Sequence, residues 1–225
     1  MVRKHIKRLS APNSWPMGRK ERTWVTRPKP SRSFDLAISL NNALKELMGI
    51  ARTNKEVRYV IRDIGVEVNG IRCHDFRRAV GLLDVVSIPS QDTYVRIGIS
   101  KKGRLVAVNI SKEDAKKRIV KISGKTRTVG KTQLNCTDSS NYLVDKDTYK
   151  VGDSLLVEGS KIVKHLPLQK GATILLTSGS HLSDIGDVTD IQGRVISFKK
   201  EDDVLTTARK CAFVVGEKKP EVQIR

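Results

Sequence analysis

Arg52-Thr53-Asn54-Lys55-Glu56-Val57 leads through residues 58–64 to Gly65-Val66-Glu67-Val68-Asn69-Gly70. These residues specify a helix with a start, two faces and an end. Thr53 and Glu56 have the capping-box spacing, in which the hydroxyl accepts from the third helical N–H and the carboxylate reaches back to the helix start. Val57, Val60, Ile61 and Ile64 fall on one apolar stripe. At about 100° per residue, Lys55, Arg58 and Arg62 project together on the opposite side, with Arg52 close by, just before the cap. Gly65 ends the helix. Asn69-Gly70 permits positive φ at both positions, so the chain reverses there in a tight hairpin-type turn.

Working outward, Leu40, Leu44, Leu47 and Met48 have helical spacing between a Ser39 cap and Gly49. Their stripe is expected to pack against that of the second helix. Val80-Gly81-Leu82-Leu83-Asp84-Val85-Val86-Ser87-Ile88 reads as a turn and then a buried strand. Residues 34–93 therefore form one compact module. Beyond it, 94–99 and 105–110 flank the turn Lys101-Lys102-Gly103-Arg104 as a hairpin, and a short helix starts at Ser111. Turn signals at Val151-Gly152-Asp153, Glu158-Gly159-Ser160, Gly179-Ser180, Gly186-Asp187 and Gln192-Gly193 predict short strands in small β-barrels.

Before the module lies a basic arm. Residues 1–32 hold Arg3, Lys4, Lys7, Arg8, Arg19, Lys20, Arg22, Arg27, Lys29 and Arg32 against a single acid, Glu21. Both tryptophans, Trp15 and Trp24, and four of the seven prolines lie there too. Such a segment cannot close a core alone and is expected to order only on a partner. Cations interleaved with aromatic rings suit RNA, where guanidiniums meet phosphates and indoles stack on bases. A merely solvated tail would gain nothing from two tryptophans.

The whole chain of 225 residues carries 43 Lys and Arg against 24 Asp and Glu, a net charge of +19 that calls for a polyanionic partner. No apolar run approaches the ~20 residues of a membrane span. The first residues hold no apolar stretch long enough for a secretory signal, and prolines at 12, 16, 28 and 30 disfavour a transit-peptide helix, so a soluble intracellular protein is expected. Cys73, Cys136 and Cys211 are isolated, so neither a disulfide framework nor a zinc knuckle is indicated, and His74 beside Cys73 lacks a second ligand pair. His5, His74, His165 and His181 are scattered, and no nucleophile motif, phosphate loop or dinucleotide fingerprint occurs. Glu201-Asp202-Asp203 reads as a solvated turn. No metal, cofactor or small-molecule substrate is expected. Three rival classes differ in what they require. An RNA-modifying enzyme needs a catalytic domain larger than the ~130 residues after the module. A transcription or translation factor would cycle on and off its partner. A membrane-surface protein needs cations opposite a wide apolar face.

Over essentially its whole length the chain resembles the small-subunit ribosomal proteins of the S-four-e family, of archaeal and eukaryotic type. The stretch from Ile50 to Gly70, the run Val80 to Ile88, the turn Lys102-Gly103-Arg104, Glu113-Asp114-Ala115-Lys116 and the ending Phe213-Val214-Val215-Gly216-Glu217-Lys218-Lys219-Pro220 carry the likeness. Residues 170–191 are similar to a KOW segment through Gly179 and Gly186, and the chain's length fits the archaeal branch. The resemblance implies an α+β multi-domain protein. Its parts would be a basic RNA-binding extension (1–33), a small helical/β S-four-like module (34–93), a central mainly β domain (94–168) and a C-terminal SH3-like KOW barrel with tail (169–225). It further implies a cytoplasmic ribosomal location, with small-subunit ribosomal RNA and neighbouring ribosomal proteins as partners. RNA contacts are expected from the arm cations with Trp15 and Trp24, and from Arg52, Thr53, Lys55, Arg58, Arg62 and Asn69. Where the family usually has Gly-Arg, this chain has Ser183-Asp184, so that loop is expected to add little to RNA affinity.

Overall fold

The computed structural model describes residues 5–128, 130–145, 147–200 and 203–224. The chain forms two compact units, residues 1–116 with 224–225, and residues 117–223.

In the first unit the capping box forms: Glu56 N–H donates to the Thr53 hydroxyl at 3.2 Å, and the Glu56 carboxylate accepts from Arg52 N–H at 2.8 Å. These contacts hold the Glu56 carboxyl below its usual range, the Arg52 N–H first and the Thr53 hydroxyl next. Helix α2 spans Asn54–Tyr59 and continues as a wider π-helical turn, Val60–Gly65. The wider turn advances each residue by less than 100°, so the apolar stripe drifts. Val57, Val60 and Ile61 are buried, whereas Ile64 is only partly so. Helix α1, Leu40–Asn42, widens in the same way over Ala43–Leu47 after a Ser39 cap. Leu40, Ala43 and Leu44 meet the α2 stripe in one core.

Strands β4 (Val66–Val68) and β5 (Ile71–Cys73) pair around Asn69 and Gly70, whose φ values of 57° and 75° match the expected turn. β7 (Val85–Ile88), β8 (Thr93–Ile99) and β9 (Leu105–Asn109) extend the same antiparallel sheet, in the order β5-β4-β7-β8-β9. Residues 94–109, assigned from sequence to a central domain, thus supply the last two strands of this sheet. A separate pair joins β3 (Ala37–Ser39) to β6 (Ala79–Gly81). Helix α3, Lys112–Lys116, follows the Ser111 cap and receives Arg96, whose guanidinium donates to Asp114 O at 2.8 Å.

The arm departs from expectation. It is packed within the first unit, because it uses the module's core instead of building its own. β1 (His5–Lys7) and β2 (Trp24–Thr26) pair as a ribbon, with Val25 buried and Ile6 against the core. Trp15 is 3% exposed, donates its indole N–H to Ala37 O at 2.9 Å and lies 5.3 Å from the Phe34 ring.

The second unit is β among its described residues apart from one 3-10 turn, Arg209–Cys211. In its first sheet, β12-β11-β10-β13-β14, the 12-residue β10 (Lys117–Thr128) is shared. One half pairs with β13 (Ser154–Glu158) and the other with β11 (Lys131–Cys136), with a register shift between Ile122 and Gly124. β12 (Asn141–Val144) and β14 (Lys161–Leu166) are its edges. Inside lie Val120, Ile122, Leu134, Leu155 and Val157. The second sheet runs β19-β15-β16-β17-β18, from β15 (Thr173–Leu176), β16 (Ile185–Gln192), β17 (Val195–Lys200), β18 (Asp203–Ala208) and β19 (Ala212–Gly216). Gly186-Asp187, expected as a turn, lies inside β16. Gly186 is needed there for close approach: a Cβ would stand 2.5 Å from Lys199 O. Glu201 and Asp202, expected in a solvated turn, lie outside the described residues.

Candidate nucleic-acid interface

The first unit carries 25 Lys and Arg against 11 Asp and Glu; residues 117–223 carry 18 against 13. Positive charge therefore concentrates where the arm and α2 lie, and the side chains divide into two groups.

One group is turned inward. Arg8 is 3% exposed and bound to Glu46 at 2.6 Å. Arg32 pairs with buried Asp84, which also accepts from Gly81 N–H at 2.7 Å and from the Asn69 amide at 2.9 Å. Asn69 in turn accepts from Val85 N–H at 2.9 Å, so it fastens the hairpin turn. Arg19 donates to Ala11 O at 3.0 Å and to the Asn13 side chain, bracing the arm's loop. Arg27 lies 5.8 Å from the centre of the Phe34 ring, whereas Lys29, which pairs with Asp75 at 2.6 Å, stays exposed. Trp15 belongs with these residues, its ring buried away from any base.

The other group faces solvent. Lys7, Lys20, Arg22 and Trp24 are exposed on the arm, and Arg52, Thr53, Lys55, Arg58 and Arg62 are exposed at and along α2. Arg58 lies over the Phe76 ring at 5.1 Å, and Arg62 pairs with its neighbour Asp63. Arg3 and Lys4 lie outside the described residues.

Three residues that sequence reading passed over join this surface. Lys45 donates to the Asn54 side chain at 3.1 Å; burial lowers its pKa, with Glu46 opposing and Arg22 and Arg8 adding to the shift. Tyr59 is 58% exposed on the α2 surface, and Arg72 reaches Arg62 O at 3.4 Å. Lys45 was hidden because it sits inside an otherwise apolar helical stripe.

Several other titratable groups serve the interior. His165 meets Asp153 at 2.7 Å, and Arg118 bridges Asp138 and the Tyr142 hydroxyl. The three cysteines are buried thiols; burial pushes Cys136 up to about 12. In the loop before β16, Ser183 adopts φ 68° and Asp184 pairs inward with Lys200 at 2.8 Å. No helix among the described residues is long and apolar enough to cross a membrane.

Residues 91–162 match the model of the ribosomal family S4e, and residues 2–30 match that of the RS4NT (NUC023) domain. The small ribosomal subunit protein eS4 of Methanosphaera stadtmanae is 34% identical, over 99% of this chain and 96% of that protein. The chain belongs to the S4e family. The family's eS4 of Archaeoglobus fulgidus is likewise 34% identical, over 97% of this chain and 95% of its own. The crystal structure of the 30S ribosomal protein S4e from Thermoplasma acidophilum shares the fold at a TM-score of 0.71 and 24% identity, covering 81% of this chain and 96% of that one.

Proposed function

We propose that this chain is a structural constituent of the small ribosomal subunit in the cytoplasm, holding ribosomal RNA and neighbouring ribosomal proteins and catalysing nothing. The eS4 relatives are named as small-subunit proteins over nearly this whole length. The observation that carries the RNA reading is the two-sided α2: Val57, Val60 and Ile61 are fixed in the core while Arg52, Lys55, Arg58 and Arg62 stand in solvent. A folded base with solvent-facing guanidiniums suits phosphate contact, because Arg presents a planar donor fork.

In finer terms, we read residues 34–93 as an S-four-like RNA-binding module whose sheet is completed by β8 and β9, and the residues after those strands, to 168, as a central mainly β domain. Residues 169–225 we read as a KOW barrel with its tail. Support for the last is the strand order, which sets the final strand β19 beside the first, β15. The RNA-binding set comprises Arg3, Lys4, Lys7, Lys20, Arg22, Trp24, Lys29, Arg52, Thr53, Lys55, Arg58 and Arg62, now with Lys45 and Arg72. Arg8, Trp15, Arg19, Arg27, Arg32 and Asn69 serve chiefly to shape the surface. The loop at Ser183 and Asp184 contributes little, since Asp184 is neutralised by Lys200.

Filter binding of the full chain to small-subunit ribosomal RNA at rising salt tests this reading. The expected log–log slope corresponds to several phosphates neutralised. A salt-independent affinity would refute it. Loss of the chain from small subunits in a high-salt gradient would favour a cycling factor instead.

A further inference from the structure

We propose that the outward face of the β1–β2 ribbon is a stacking platform for one unpaired RNA base, built from Trp24 and His5 with Lys7 beside them. This deepens the RNA reading above and rests on it. Residues directly opposite in an antiparallel ribbon share a face, and successive residues alternate between faces. Ile6 pairs with Val25, and that face is turned to the core. Lys7 pairs with Trp24 and His5 with Thr26, so Lys7, Trp24 and His5 share the other face.

Trp24 is 55% exposed while Trp15, nine residues earlier, is 3% exposed; one indole is structural and the other has no core to serve. His5 stands 4.8 Å from Trp24 at an interplanar angle of 78°. Two rings set nearly perpendicular form a corner: a flat base that stacks on one meets the other along its edge. The imidazole also limits the rotamers of the indole, which lowers the ordering cost of stacking. Lys7, directly across the ribbon from Trp24, is placed for the phosphate of the stacked nucleotide. Stacking needs an accessible base face, so the ligand is single-stranded RNA; a duplex offers phosphates but no free face.

The test follows tryptophan fluorescence of the full chain titrated with a ten-nucleotide oligoadenylate and, separately, with a fully paired RNA duplex of equal length. The oligoadenylate should quench emission and the duplex should not, even when it binds. Trp24→Ala, at an exposed position, should abolish the quenching and weaken oligoadenylate binding about ten- to hundredfold. It should leave the salt slope unchanged, and Trp24→Phe should restore most of the affinity. His5→Ala should lose part of the affinity, again at constant slope. Lys7→Ala should instead lower the slope by about 0.7. If the chain binds both RNAs without quenching and Trp24→Ala binds like the parent, the platform is wrong and the RNA reading stands. If neither RNA binds at low salt, both fall.

Discussion

The arm and helix α2 both look like dense runs of cations, and the fold uses them in opposite ways. On the arm, Arg8 and Arg32 turn inward to Glu46 and Asp84, and Arg19 is spent on bracing a loop. On α2, Arg52, Lys55, Arg58 and Arg62 all remain outside. The difference follows from what each segment can bury. α2 owns an apolar stripe, so its cations are free to face solvent. The arm has too few apolar groups to dock by burial alone, so charge-assisted bonds to carboxylates of the module complete its attachment. Net charge therefore separates the two units, while the partners of each cation decide which ones face solvent, where the proposed RNA contact would form.

The largest effect is expected where an inward cation loses its partner. Asp84→Ala leaves the Arg32 guanidinium buried without its carboxylate and also strips acceptors from Gly81 N–H and Asn69. A loss of about 3–5 kcal/mol in denaturant unfolding should result. An effect below about 1 kcal/mol would mean that Arg32 is as free as the α2 arginines, and the contrast would collapse.

The outward side is broken by Arg58→Glu combined with Arg62→Glu. RNA affinity should fall by roughly a hundredfold. Unfolding should change by only about 1 kcal/mol, from the lost Arg58–Phe76 contact. Unaltered affinity for ribosomal RNA at moderate salt would remove α2 from the interface.

Asn69 tests an intermediate case, a polar residue expected from sequence to touch RNA that works as a turn. Asn69→Ala should cost about 2 kcal/mol, through two lost hydrogen bonds and a left-handed φ without asparagine's tolerance for it. Asn69→Gly, which keeps the turn, should cost about half as much. Both should bind RNA normally once folded, as judged by filter binding below the melting temperature.

What the sequence made legible is what depends on neighbours in the chain. The Thr53–Glu56 cap, the α2 stripe and the Asn69-Gly70 turn are fixed within a few residues; the cap and the turn formed as read, and the stripe did so as far as Ile61. The arm's docking was not legible, because Arg8–Glu46 and Arg32–Asp84 join residues 38 and 52 apart and no periodicity marks such pairs. Trp15 looked like a base-stacking ring because only its polar neighbours in sequence were visible, not Phe34 and Ala37. Gly186 was read as a turn because a glycine required by a close backbone approach looks the same in sequence as one required by positive φ. The continuity of β7, β8 and β9 was hidden for a related reason: sheet order is set by pairing across the fold, whereas boundaries were drawn from turn residues. On the proposed interface, position along α2 sufficed to place Arg52, Lys55, Arg58 and Arg62 in solvent, but gave no sign of Lys45, which meets that helix through Asn54.

The smallest effect sharpens the comparison with a third kind of cation. Lys121 in β10 is turned inward without a carboxylate, donating to Lys210 O at 2.9 Å and Ala212 O at 2.5 Å. Burial lowers its pKa to about 8, with Cys211 opposing that shift and Arg209 adding to it. The unfolded chain should titrate this lysine near its ordinary value of about 10.4. Below pH 8 the ammonium is charged in both states, and the folded state bears the full desolvation cost. Between about pH 8 and pH 10 the folded protein has released the proton while the unfolded chain still holds it, so stability rises with pH over that window. Lys121→Met keeps an apolar stem of similar length and removes the titration. The difference in melting temperature, parent minus variant, should therefore increase between pH 7 and pH 9.5. Other titrating groups, Cys136 among them, act on both proteins and cancel in the difference. A difference that stays flat would mean that the two carbonyls compensate the buried ammonium fully. Inward cations would then need no carboxylate, and the pairings of Arg8 and Arg32 would require another explanation.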